Sequence, residues 1–75
     1  MIKTKIAYED IKAGDLIEVS FVDFGVKNVL TGIAFEQDTM SMGHGLTQTW
    51  WKSSEGGMIV TKEENADIYR IDVTA

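Results

Sequence analysis

The one histidine of this 75-residue chain, His44, stands between Gly43 and Gly45. It is the natural place to look for acid–base or nucleophilic chemistry. A serine or threonine nucleophile beside it needs a third group to orient the imidazole, and none stands out. The flanking glycines leave the ring mobile rather than preorganised. Asp38 and His44 could share a metal ion, but a tight site needs three or four preorganised ligands. Glu9/Asp10 and Glu63/Glu64 are neighbours in sequence, so turn or strand geometry points their carboxylates apart and they read as solvated. Gly56-Gly57 lacks the strand–loop–helix setting and the lysine of a phosphate-binding loop. The expectation is therefore no enzyme, no catalytic residue, no metal site and no cofactor.

The adjacent tryptophans carry more information. On a strand, Trp50 and Trp51 face opposite sides. One is expected to fill the core and the other to lie on the outer surface or under the 37–45 segment. The candidate set below takes Trp51 as the outer one, leaving Trp50, in step with Leu46 and Gln48, for the core. An exposed tryptophan offers a large contact area with few rotamers to freeze, which suits a binding anchor. Trp51 with Phe24, Met40, Met42, His44 and Tyr69 is the candidate partner-binding set. The two methionines fit such a surface because their side chains adapt to what they touch.

These residues must be positioned by strands. In residues 15–36, Ile17, Val19 and Phe21 alternate with Glu18 and Ser20, the period of a half-buried strand. Asp23-Phe24-Gly25 is a tight turn whose glycine accepts a positive φ. A second strand, 26–35, is interrupted at Gly32, which reads as a bend or barrel corner. Ahead of this hairpin, 2–7 alternate apolar and charged residues, as an edge strand does; Lys3 and Lys5 there discourage pairing with another chain. Tyr8 to Ile11 read as a turn or single helical turn capping one end of the core. Residues 37–49 show no apolar period before Leu46, and 37–45 are expected to form a flexible loop, a common home for binding residues. Strands follow at 46–52, 58–61 and 68–73, separated by a hairpin turn at 53–57 and a turn or helical turn at 63–67. The last strand sets Tyr69, Ile71 and Val73 on one face.

The run Asp10-Ile11-Lys12-Ala13-Gly14-Asp15-Leu16-Ile17-Glu18-Val19 resembles the D-I-x-x-G-D-x-I-x-V opening of many small SH3-like β-barrels. Thr31-Gly32-Ile33-Ala34 is similar to their glycine-containing second strand. The resemblance covers residues 8–36 and implies a fold rather than an activity, since this architecture hosts many functions. Chains of this kind are frequent among small accessory proteins of bacteriophages and other mobile elements. Physical reasoning agrees on the fold class. Short strands of mixed polarity hide one face and lose their edges by curling until those edges meet. We expect a single all-β domain over 1–75: a five- to six-stranded SH3-like, partly open barrel with one flexible loop.

Composition narrows the function. A chain this short buries roughly 60–65% of its unfolded surface, so its margin of stability is thin, and without cysteine it has no disulfide to widen it. No apolar run approaches the roughly 18 residues that span a bilayer, and the first ten residues lack the apolar core of a secretory signal; a cytoplasmic protein is expected. The net charge of −5 repels phosphate and forgoes counterion release on nucleic acid. Together these favour a non-catalytic protein–protein interaction module, of the phage or mobile-element type that binds and modulates a host protein, its partner carrying a basic surface. One alternative is a nucleic-acid-binding barrel, against which the basic residues stand dispersed. Another is a structural subunit that forms a homo-oligomer through an exposed edge at 2–7 or 68–73.

Overall fold

The computed structural model describes residues 1–62 and 65–73. Six strands form one antiparallel sheet: β1 (Ile2–Ile6), β2 (Leu16–Asp23), β3 (Val26–Gly43), β4 (Leu46–Ser53), β5 (Met58–Thr61) and β6 (Asp67–Asp72), in the order β1-β6-β2-β3-β4-β5. A 3-10 turn, Tyr8–Asp10, leads from β1 toward Ile11, as expected for that segment. The turn expected over 63–67 falls partly outside the described residues, with Glu63 and Glu64.

Local chemistry explains the strands. In β2 the alternation buries Ile17 and Val19 and leaves Glu18 and Ser20 at the surface. Phe24 and Gly25, at φ 51° and 75°, form a two-residue turn with both centres left-handed. That geometry matches the twist of the strands it joins. β3 then runs for 18 residues, more than twice the length of its neighbours, because it serves two partners. Its first half pairs with β2, from Asp23↔Val26 to Leu16↔Ile33. Its second half pairs with β4, from Ala34↔Ser53 to Gly43↔Leu46.

The change of partner is the corner of the fold. The register shifts between Ala34 and Glu36, so Phe35 is an extra residue without a counterpart in β4. Such a bulge bends the strand and tightens its twist. Backbone bonds hold the corner on both sides: Ala34 N–H donates to Asp15 O at 2.8 Å, Gly14 N–H to Ala34 O at 2.7 Å, and Ser54 N–H to Ile33 O at 3.1 Å. Gly32 is thus not the corner. Its backbone is paired with Ile17, and a Cβ there would meet Ile59 Cδ1 and Ser53 Cβ at 3.5 Å. Those are ordinary contact distances, so neither the backbone nor the packing there requires a glycine.

Bending at 34–36 lays one half of the sheet over the other. Ile11, Ile17, Val19 and Ile68 from the first half meet Trp51, Ile59 and Val60 from the second around Ala34. The expected barrel does not close: β1 and β5 remain the two ends of the sheet. The reason is the shortness of β5. Its four residues pair only with Trp50, Trp51 and Lys52, and folding at a single corner buries the core without bringing the edges together.

Two further expectations are corrected. Residues 37–42 are not a loop but the end of β3, and the chain reverses in two residues, His44 and Gly45. The alternation is present but polar on one side: Gln37, Thr39 and Ser41 face one way and Asp38 and Met40 the other, with Met42 the extra residue at a second register shift before Gly43. Pairing with β4 then supplies the strand, helped by a Thr39–Thr49 hydroxyl bond of 3.2 Å. The tryptophans are also reversed. Ala34, at the buried corner, stands opposite Ser53, and Gln37 opposite Trp51, so the odd-numbered residues of β4 face inward. Trp51 is 5% exposed and Trp50 lies on the outer face, partly buried.

Candidate interaction surface

The two ends of β3 carry the two tight turns, and both are unusual. Left-handed centres favour Gly, Asn or Asp, yet the first centre of each is a bulky residue, Phe24 at φ 51° and His44 at φ 52°. Phe24 is 98% exposed, the most exposed of the large apolar side chains.

Around Phe24 the β2–β3 hairpin is apolar on both faces. Val22 and Val29 point to the outer face of the sheet. Val26 and Leu30 point to the core face beyond the reach of its cover, so all four remain exposed. At the sheet's edge β6 begins at Asp67, opposite Ser20, so Phe21 to Asp23 have no strand beside them on that side among the described residues. A groove opens there, lined by Phe21, Val22, Lys27, Asn65, Asp67 and Tyr69 among others. Tyr69 sits on the outer face opposite Glu18, one strand away from Val22.

The other end of β3 forms a second arm. Beyond the reach of β5, the β3–β4 ribbon projects with Met40, Met42 and Leu46 exposed and with Met40 opposite Gln48. At its base Lys52 bridges Glu36 at 2.7 Å and Asp38 at 3.0 Å. Those bonds, Glu36 first, hold the Lys52 ammonium above the usual lysine range. The Asp38 carboxylate is therefore engaged at the base of the arm while His44 sits at its tip, six residues along the strand. The pair does not converge on an ion. Among the described residues no group of three or more His, Asp or Glu side chains could hold a metal ion.

The expected site is therefore divided. Phe24 and Tyr69 border one region, Met40, Met42 and His44 lie at the opposite end of β3, and Trp51 belongs to neither because it is core. Trp51 even leaves its indole Nε1–H without a hydrogen-bond partner among the described residues. Sequence reasoning missed Val22, Val26 and Leu46. The signal for the first two was available: apolar residues at 21, 22, 24 and 26 cannot all reach one core from a strand and its turn.

No protein-family model, curated protein or solved structure matches this chain. Among the described residues no helix is long and apolar enough to cross a membrane.

Proposed function

We propose that this protein is a non-catalytic interaction module that binds another protein through the β2–β3 hairpin, with Phe24 as the anchor. One observation carries the reading. A phenylalanine sits in a left-handed turn position, at a cost of roughly 1–2 kcal/mol against Gly or Asn, and its ring is 98% exposed. Nothing in the stability of the fold favours that choice; a partner that encloses the ring does. Aromatic anchors ringed by lesser apolar contacts are the usual core of a protein interface. Val22 and Val26 supply that ring here, with Asp23 and Lys27 at its margin. The net charge of −5 fits a partner with a basic surface better than a nucleic acid. The finer assignment, an SH3-like accessory protein of phage or mobile-element type, is part of the same proposal. Its support is the 10–19 run, which here leads into β2, and the sharply bent six-stranded sheet.

The test is capture from host lysate with nuclease present, using the tagged protein and its Phe24→Asn variant side by side. The expected result is one stoichiometric protein that survives nuclease on the wild type and is absent from the variant. Equal recovery on both would remove Phe24 from the interface. Loss of every partner on nuclease treatment would put the nucleic-acid-binding reading first.

A further inference from the structure

We infer that β1 is a self-complementary edge through which two copies of this chain pair in antiparallel register about a two-fold axis at Thr4, joining their sheets. This is independent of the Phe24 surface. The strand Ile2-Lys3-Thr4-Lys5-Ile6 reads the same in both directions. Laid antiparallel on itself with Thr4 opposite Thr4, it sets Ile2 opposite Ile6 and Lys3 opposite Lys5, and every pair is then repeated by the symmetry, as a closed two-fold interface requires. β1 stands at the end of the sheet with β6 as its neighbour.

The faces agree with this register. Ile2, Thr4 and Ile6 share one side of β1. Ile6 packs on the core, whereas Ile2 is 51% exposed in the single chain. Pairing brings each exposed Ile2 beside the partly buried Ile6 of the other copy, and a Thr–Thr pair at the axis is a favourable cross-strand contact. The opposite side carries the lysines, which ordinarily guard an edge. Here each is drawn back over its own sheet, Lys3 Nζ to Glu18 Oε1 at 3.0 Å and Lys5 Nζ to Asp67 Oδ1 at 3.3 Å. The joined surface therefore holds as many carboxylates as ammonium groups. The other devices that protect edges, proline and a bulge, are absent from β1. One five-residue strand pair is a small interface, so the dimer is weak and concentration-dependent.

The register can be read directly because the chain has no cysteine of its own. At the axis, opposed Cα atoms lie about 4.5–5.5 Å apart, within the disulfide range of about 4.4–6.8 Å. Two Ile2 residues would instead be displaced by four residues, about 13 Å along the strand. Thr4→Cys and Ile2→Cys are compared in a glutathione redox buffer, beside sedimentation of the wild type over a concentration series. We expect reversible dimerisation of the wild type, and a disulfide-linked fraction about tenfold higher for Thr4→Cys than for Ile2→Cys, since only the former reaches disulfide geometry. A wild type that stays monomeric to about 1 mM, the weak limit of measurable association, overturns the proposal. A dimer with equal cross-linking of both variants overturns it as well, because the contact then lies on another edge or on the hairpins.

Discussion

Phe24 sets function against stability within one residue. Asn is at ease in the left-handed position that Phe24 occupies at φ 51°. Phe24→Asn should therefore raise stability by about 1 kcal/mol, or roughly 4–8 °C for a domain of this size, in the same variant that loses its partner. Differential scanning calorimetry reads the first effect and the capture experiment the second. A fall in melting temperature would mean that the ring is packed in solution. The tryptophans make the opposite contrast. Trp51 is 5% exposed among Ile59, Val60 and Ile17, so Trp51→Ala should cost about 3–5 kcal/mol. Trp50→Ala, on the outer face, should cost less than half of that large-to-small penalty. Urea unfolding of both variants decides it, and equal losses would refute the assignment of faces.

At the scale of elements, the bulge at Phe35 is what turns a flat meander into a fold. Next to it the pairing is regular, through Leu16↔Ile33 on one side and from Glu36↔Lys52 to Ser41↔Thr47 on the other. Deleting Phe35 would let the ladder run straight through without changing which residues face inward, while removing the bend that lays Trp51 and Val60 on Ile17 and Val19. The deletion should cost more than about 3 kcal/mol in urea unfolding, as losses of core packing do. Phe35→Ser, which keeps the extra residue and changes only an exposed side chain, should stay within about 1 kcal/mol. Comparable losses from both would show that the ring, and not the backbone insertion, makes the corner.

The whole molecule is a small core with two apolar arms. Among the described residues, eight buried apolar side chains hold together a sheet that leaves both edges open and both ends of its longest strand exposed. Such a molecule keeps little stability in reserve, so the apolar side chains it leaves outside are notable as unspent burial. Its charge bears on whether a nucleic acid or a protein would bind it. A net charge of −5, with Lys3, Lys5 and Lys52 engaged by carboxylates, is expected to disfavour a phosphate backbone. Fluorescence anisotropy with a labelled single strand at low salt should show no binding; a salt-dependent rise would reverse that reading.

Much of this was legible in the chain itself. The Ile17/Val19 alternation, the Asp23-Phe24-Gly25 turn, the helical turn before Ile11 and the reversal over 53–57 depend on neighbours within a few residues. Local sterics and a period of two decide them, so residue order alone determined them. The inward tryptophan, the strand over 37–42 and the open edges were decided elsewhere. Trp50 and Trp51 each belong to a polar-looking face, and only the pairing of Ser53 with Ala34 and of Gln37 with Trp51 chooses between them. Residues 37–42 have too few apolar side chains to announce a strand, and become one because β4 satisfies their backbone. Whether a bent sheet closes depends on how far β5 reaches from the corner at Phe35, a property of long-range register that no window of sequence contains.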